Sequence, residues 1–204
     1  IYQCDWSSDV CSSDLRPTFW KPYDYSTPFT ARLDELVRWV RDERVAFAAF
    51  CLEETNRAGH RHGPGSAEVI AAVKLFDERV GAIAARFAAE KIPVNLVVVS
   101  DHGMTGCGAD RVIVLDDYFD LATVQIDFDE TCVGLRPRGG NSVDAMMRAL
   151  EKLPPTARAY RAEDLPARFR LDPRSPRTPP VWIVPAEGWA VLGRSLYNTV
   201  KTNF

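Results

Sequence analysis

The sequence has neither a long hydrophobic run nor a marked excess of one charge. No apolar stretch reaches the roughly 18 residues that a membrane-spanning helix needs, so these 204 residues encode no membrane span. Lys and Arg number 25 and Asp and Glu number 28, a net charge of -3, which gives no reason to expect a nucleic-acid-binding surface. Hydrophobic residues make up 46% and charged residues 26%, as in ordinary globular proteins with a buried core. The composition indicates no particular oligomeric state.

Cysteine is scarce, and two of the five cysteines lie in an unusual first segment. This segment, IYQCDWSSDVCSSDL, contains a near-repeat and has neither a helical nor a strand period. We interpret residues 1–15 as a non-native, adaptor-derived segment, and residues 16–204 as the native part of the chain. The other three cysteines are Cys51, Cys107 and Cys132. They share no close spacing, so neither a disulfide framework nor a cysteine-type zinc site is indicated.

Apolar periodicity predicts two helices in the first half of the chain. The first is expected to begin at Pro28, with Thr27 as its N-cap. The second is long and is expected to follow its N-cap, Ser66, and to end before Pro93. Its apolar residues are spaced alternately four and three apart: Val69, Val73, Phe76, Val80, Ile83 and Phe87.

Two short, continuous apolar runs, residues 45–52 and 94–100, are typical of buried strands. The order of helix, strand, helix, strand predicts an α/β fold, in which these two strands are parallel neighbours and the helix over 66–90 crosses between them.

The second half has a less regular pattern with frequent prolines. It predicts strands at 111–115, 131–137 and 181–184, and a helix capped by Asn141.

Polar clusters follow the first two predicted strands. One cluster is EETNRAGHRHGP, residues 53–64, and the other is SDHG, residues 100–103. Because ligands of parallel α/β sheets bind beyond the carboxyl ends of the strands, the two clusters are expected to share one pocket. Asp101 and His102 are adjacent, so both can reach one site only if the chain turns there, as Gly103 permits.

Asn56 and His60 are four residues apart, on one face of a helical turn. Carboxylate, amide oxygen and imidazole are suitable ligands for zinc or a similar divalent ion. The same residues also have ordinary explanations, because Asp-His-Gly is frequent in turns. Of the pair Glu53 and Glu54, one is expected to be a helix-start charge or a hydrogen-bond partner.

These motifs resemble the nucleotide pyrophosphatase/phosphodiesterase family of the alkaline phosphatase superfamily. The resemblance rests on VNLVVVSDHGM and LEETNRAGHRHGP, with RPTFWKPYD upstream and VWIVPAEGW downstream, and it covers about residues 16–192. The combination of VSDHGM with the pattern E-E-x-x-x-x-G-H-x-x-G-P is specific, although neither motif is specific alone. The resemblance implies a partial alkaline-phosphatase-like α/β sandwich with a mostly parallel sheet and flanking helices.

The resemblance also implies a hydrolase with two divalent metal ions, expected to be zinc, acting on a small phosphodiester or nucleotide. In this family a threonine attacks phosphorus and forms a covalent phospho-enzyme that water then hydrolyses. Asp101 and His102 match two ligands of one metal, and His60 matches a ligand of the other. Asn56 stands where the family usually has Asp, which removes one negative charge beside the metal. Members are mostly exported or on the cell surface, so a periplasmic or extracellular location is expected.

Three residues of the family pattern have no match in the sequence. The family's first metal-binding Asp and its nucleophilic Thr precede RPTFW, and its last metal-binding His follows the EGW segment. The chain has three histidines, His60, His62 and His102. We therefore expect a fragment that lacks both ends of the catalytic domain, is inactive alone, and has its nucleophile outside the chain.

Two alternatives remain open at this point. One is a phosphatase, sulfatase or phosphonate hydrolase of the same superfamily, and the other is a degenerate binding module in which Asn56 marks a lost metal. Phe50, at the end of the first strand, is a candidate for stacking on a substrate base or a buried core residue.

Overall fold

A computed structural model describes residues 2–3 and 17–201 of the chain. Its internal contacts divide the chain into unit 1, residues 1–104, and unit 2, residues 105–204. Unit 1 contains three helices and one pair of two-residue parallel strands. In chain order these are β1 (Tyr2–Gln3), β2 (Lys21–Pro22), α1 (Phe29–Asp42), α2 (Glu54–His62) and α3 (Ala67–Ala89).

The core of unit 1 lies between α1 and α3. Leu33, Leu36 and Val37 occupy one face of α1 and pack against Ile83 and Phe87 near the end of α3. Their three- and four-residue spacing places the apolar side chains on one stripe of each helix. Burial of each such side chain contributes about 1.5–3 kcal/mol, and this packing holds the two long helices together.

The predicted start of α3 is confirmed, whereas α1 begins one residue later than predicted. The Ser66 hydroxyl accepts a hydrogen bond from the Val69 amide at 3.2 Å, so Ser66 caps α3 as expected. Helix α1 begins at Phe29, its N-cap position is Pro28, and no side chain caps it. The Thr27 hydroxyl instead donates to Asp24 at 2.9 Å, because the turn before the helix offers it a carboxylate.

The predicted parallel strands at 45–52 and 94–100 are not formed, and that prediction was wrong for the described part of the chain. Residues 94–99 make no backbone hydrogen bond to another described residue. Val97 is 76% and Val99 82% exposed, so the run is not a core strand of unit 1. An apolar run supplies the side chains of a buried strand, but the strand also needs neighbours that accept and donate its ladder hydrogen bonds.

Unit 2 contains two sheets and two helices. In chain order its elements are β3 (Val112–Val114), β4 (Val124–Phe128), β5 (Val133–Pro137), α4 (Val143–Leu150), β6 (Ala157–Arg161), β7 (Val181–Pro185), β8 (Ala190–Leu192) and α5 (Arg194–Val200). Single 3-10 turns lie at Leu115–Asp117, Leu121–Thr123, Ala162–Asp164 and Ala167–Phe169.

The larger sheet of unit 2 is antiparallel, with strand order β4-β5-β7-β6, and β3 pairs with β8 in parallel. Helix α4 packs on the larger sheet through Met146 and Leu150, and Val133, Leu135 and Ile183 below it are fully buried. The unit therefore has its own hydrophobic core.

The strands predicted at 111–115, 131–137 and 181–184 are confirmed as β3, β5 and β7. The predicted cap of α4 was wrong by one residue. The Ser142 hydroxyl accepts from the Ala145 amide at 3.1 Å and is the N-cap, while the Asn141 side-chain oxygen accepts from the Ser142 amide.

The predicted α/β class is confirmed, since both helices and strands build the chain. No helix in the described ranges is long and apolar enough to cross a membrane. The cysteines differ in part from the sequence prediction, because Cys51 is disulfide-bonded while Cys107 and Cys132 carry free thiols. Burial raises the pKa of the Cys132 thiol, which lowers its reactivity.

Candidate functional site

Helix α2 carries two of the four predicted metal ligands. Asn56 and His60 are separated by one helical turn and are both exposed. The helix ends at His62, and its C-cap residue is Gly63, whose φ of 83° lies in the left-handed region that glycine adopts without strain. The two side chains are therefore presented to solvent from one short, well-defined helix.

Glu53 and Glu54 lie at the start of α2 and have different surroundings. Glu53 is 6% exposed and occupies the N-cap position. Its hydrogen bond with the Tyr25 hydroxyl is the main cause that raises the pKa of Tyr25. Glu54 is the first residue of the helix and pairs with Arg79. The sequence prediction that one of them is a helix-start charge or hydrogen-bond partner agrees with these contacts.

Asp101 and His102 lie together at a bend in the chain. Asp101 Oδ1 accepts a hydrogen bond from the His102 amide at 2.9 Å, and Asp101 Oδ2 lies 3.5 Å from His102 Nε2. The other ring nitrogen, Nδ1, donates to the Gly103 carbonyl oxygen at 2.8 Å. Because Nδ1 donates its proton to a backbone carbonyl, Nε2 of the neutral ring carries the free lone pair that can bind a metal. Most metal-binding histidines have this arrangement.

The spacing of these two donors fits a zinc ion. Two ligands that bind tetrahedral zinc at about 2.0–2.1 Å lie roughly 3.3 Å apart. The Asp101 Oδ2 to His102 Nε2 separation of 3.5 Å is close to that value. Carboxylate oxygen and imidazole nitrogen are both ordinary zinc ligands. The pair can therefore supply two ligands of a metal site without rearrangement of the bend.

Met104 brings the bend near α2. Gly59 is buried, and a methyl group added there would overlap with Met104 Sδ and lie 3.1 Å from Met104 Cε. Gly59 directly precedes His60, and Met104 is two residues beyond His102. The absence of a side chain at Gly59 thus lets the segment with Asp101 and His102 pack beside the helix with His60.

The structure thus forms the Asp101–His102 pair and places its segment against α2. Convergence of all four predicted ligands on one pocket stays a prediction. In the described ranges no group of three or more His, Cys, Asp or Glu side chains is close enough to hold a metal ion. All four residues are exposed, and a cavity of about 440 Å³ in unit 1 is lined by others, among them Phe19, Trp39 and Phe47.

Phe50 is partly buried against the core of unit 1. Its ring lies 6.2 Å from the ring of Phe29 in an edge-to-face arrangement, and the Arg32 guanidinium lies 4.9 Å from its centroid. These contacts account for Phe50 as a packing residue. Base stacking by Phe50 stays a prediction.

Sequence reasoning did not identify Arg32 and Arg79 as site-related residues. Both contact the segment that leads into α2, Arg32 at the Cys51 carbonyl oxygen and Arg79 at Glu54. One signal was available for Arg32, which lies one helical turn before Leu36 on the apolar face of α1. The same signal was available for Arg79, which lies one helical turn before the buried Ile83 of α3.

Residues 3–203 match the sequence model of the family described as type I phosphodiesterase / nucleotide pyrophosphatase. Human ectonucleotide pyrophosphatase/phosphodiesterase family member 5 is 29% identical over 188 residues, which cover 91% of this chain and 39% of that protein. Bovine bis(5'-adenosyl)-triphosphatase ENPP4 is 30% identical over 191 residues, 91% of this chain and 41% of that protein. The chain therefore spans about two fifths of the length of these relatives.

Two solved structures with family names of the same kind are similar to this chain in fold. Human ectonucleotide pyrophosphatase/phosphodiesterase 5 superimposes with a TM-score of 0.75 at 29% identity, over 87% of this chain and 48% of that chain. The inactive murine protein in complex with AMP superimposes with a TM-score of 0.73 at 29% identity, over 88% of this chain and 48% of that chain. The predicted likeness to the alkaline-phosphatase-like fold is thereby confirmed, and the chain belongs to the type I phosphodiesterase / nucleotide pyrophosphatase family.

Proposed function

We propose that the protein containing this chain is a metal-dependent hydrolase that cleaves phosphodiester or pyrophosphate bonds of nucleotides. The observation that carries the proposal is the Asp101–His102 pair, whose 3.5 Å donor spacing suits a zinc ion, in a chain of this family. The name of the bovine relative, a bis(5'-adenosyl)-triphosphatase, and the AMP in the murine structure favour an adenine nucleotide as substrate.

Asp101 and His102 would hold one metal ion, and His60 with Asn56 would contribute to the second. Two such ions, when bound, supply positive charge that stabilises the phosphoryl oxygens during displacement at phosphorus. The protein contributes the orientation of the ligands. The Gly103 carbonyl oxygen holds the His102 ring through Nδ1, and Asp101 is held by the His102 amide.

Asn56 makes the second site weaker than its family counterpart. An amide oxygen can bind a divalent ion, but it carries no negative charge. The ion therefore loses one attractive charge at close range, and we expect this site to release its metal first.

Other parts of the proposal concern the chain as a whole. We propose that residues 16–204 are part of the catalytic domain and that its nucleophile, expected to be a threonine, is supplied by residues outside these 204. Residues 1–15, interpreted as non-native, fall mostly outside the described residues. The name of the human relative, an ectonucleotide pyrophosphatase/phosphodiesterase, and that of a similar protein from Macrovipera lebetinus, a venom phosphodiesterase, support a periplasmic or extracellular location.

The proposal is tested by hydrolysis of a chromogenic nucleotide phosphodiester by the intact protein, with and without added zinc. We expect zinc-dependent turnover that falls at least about 100-fold in Asp101→Ala, since removal of a metal ligand disrupts the site that stabilises the transition state. Asp77→Ala is a matched control, because Asp77 is an exposed aspartate on α3. Turnover that survives Asp101→Ala would reject the assigned site, and an intact protein without turnover would favour the binding-module alternative.

A further inference from the structure

A buried arginine on α1 holds the backbone that leads into α2. Arg32 is 2% exposed, and its Nη2 donates to the Cys51 carbonyl oxygen at 2.6 Å. Its guanidinium lies 4.5 Å from the ring centroid of Tyr23 and 4.9 Å from that of Phe50. The rings fix the orientation of the guanidinium, and the hydrogen bond fixes Cys51 three residues before α2 begins.

A second arginine, on α3, holds the first residue of α2. Arg79 pairs with Glu54 Oε1, and the two side chains are 23% and 16% exposed. The Arg79 guanidinium lies 4.9 Å from the ring centroid of Phe29, the first residue of α1. Burial and the nearby Arg32 lower the pKa of Arg79.

The burial of the Glu54 carboxylate depends on its ion pair with Arg79. Its second oxygen, Oε2, is buried and makes no hydrogen bond to any described residue. Without Arg79 the carboxylate would be a buried charge with no compensation, which is much more costly than an apolar pair of similar size. An outward shift of the first turn of α2 would remove this cost, because it exposes the Glu54 carboxylate to water.

We propose that Arg79 and Glu54, together with Arg32 and the Cys51 carbonyl, form a clamp that positions Asn56 and His60 for metal binding. Asn56 lies in the same turn as Glu54, and His60 lies six residues from Glu54, about 9 Å along the helix axis. A shift of the first turn therefore moves both ligands. The inference rests on the proposed function only in taking Asn56 and His60 as metal ligands.

The clamp is tested by two substitutions, Arg79→Met alone and Arg79→Met combined with Glu54→Met. The single change leaves the Glu54 charge buried, whereas the double change replaces the ion pair by an apolar pair. We expect the single variant to bind zinc at least about tenfold more weakly, the loss typical of residues that orient metal ligands, and the double variant to recover most of that loss.

Hydrogen exchange in the metal-free chain gives a second readout. Amides of residues 54–62 are expected to exchange about tenfold faster in Arg79→Met and at the original rate in the double variant. Arg86→Met is the matched control, because Arg86 is an α3 arginine that pairs with Asp34 and Glu90 and not with α2. It should change neither readout, although it removes two salt bridges made by an arginine of the same helix.

Three results would overturn the clamp: no effect of Arg79→Met, a double variant as impaired as the single one, or an equal loss in Arg86→Met. If His60→Ala leaves the zinc affinity of the unsubstituted chain unchanged, the proposed metal role of α2 fails. The hydrogen exchange of α2 then still decides the clamp, since recovery in the double variant supports it and lack of recovery rejects it.

Discussion

At the scale of single residues, the proposed metal binding depends on how the His102 ring is held. Its Nδ1 donates to the Gly103 carbonyl oxygen at 2.8 Å, which leaves Nε2 beside the Asp101 carboxylate. Because the accepting carbonyl belongs to the residue next to His102, the tautomer is set locally by the bend itself. The same bend lets two consecutive side chains face one another, which a regular strand would not allow.

Replacement of Asn56 by Asp is predicted to strengthen zinc binding. The added carboxylate lies next to the proposed ion, and a close opposite charge in a partly exposed site contributes about 1–4 kcal/mol. We expect affinity to rise about tenfold or more in competition with a chromogenic chelator. Asn198→Asp, which adds the same charge at an exposed position of unit 2, should leave the affinity unchanged. Equal affinities of Asn56→Asp and the unsubstituted chain would exclude Asn56 as a ligand.

Asp129 is predicted to make stability fall as pH rises. Burial raises its pKa above the ordinary value of 3.8, so the folded chain holds this proton at pH values where the unfolded chain has released it. Stability attributable to this proton is therefore present below pH 3.8 and is lost as pH rises through the folded-state pKa.

The check is urea unfolding of Asp129→Asn against the unsubstituted chain at several pH values. The Asn variant should be the more stable one at neutral pH, and the difference should shrink toward pH 3.8 and below. Asp110→Asn serves as the control at an exposed turn. A stability difference that stays constant with pH would contradict the linkage.

At the scale of elements, local signals predicted helices and several strands, but the one strand pairing that was predicted, between 45–52 and 94–100, is not formed. Ser66 as the cap of α3 follows from its hydroxyl and from the apolar period after it. The apolar run 94–100 is not a buried strand, because burial depends on neighbouring strands that no local pattern reports. Strands β4, β6 and β8 were not predicted, since their short segments combine polar and apolar residues without a long apolar run.

In the site, too, the sequence identifies residues that are close along the chain but not contacts between distant ones. The adjacency of Asp101 and His102 and the helical spacing of Asn56 and His60 are local, and they could be identified from the sequence. The contact of Arg79 with Glu54 joins residues 25 positions apart. The sequence gives no pattern for such a pair, because an arginine on a helix is usually a solvent-exposed residue.

Substitutions in strand β7 are predicted to lower the stability of unit 2 more than substitutions in its other elements. Ile183 is fully buried and lies opposite Val133 on β5 and Ala159 on β6. Ile183→Ala should lower the free energy of unfolding by about 2–5 kcal/mol, and Ile183→Val by about 0.5–1.5 kcal/mol. Urea unfolding followed by circular dichroism measures both. Similar losses for the two variants would mean that the cavity left behind is filled by rearrangement.

At the scale of the whole molecule, the chain spans about two fifths of the length of its relatives. We predict that these 204 residues, expressed alone, hydrolyse a chromogenic nucleotide phosphodiester no faster than the buffer does. On the proposed function the threonine nucleophile lies outside these residues, and covalent catalysis cannot begin without it. The intact protein under the same zinc concentration is the positive control. Turnover by the 204-residue chain that Asp101→Ala abolishes would show that the nucleophile lies within it.

The central claim, that Asp101 and His102 are ligands of a metal ion, is tested most directly by anomalous diffraction. Crystals of the intact protein grown with zinc would be measured on both sides of the zinc absorption edge. The account predicts one anomalous peak within about 2.0–2.2 Å of an Asp101 carboxylate oxygen and His102 Nε2, and a second peak at a similar distance from His60. Zinc peaks that contact neither Asp101 nor His102, or no peak at all at saturating zinc, would contradict it.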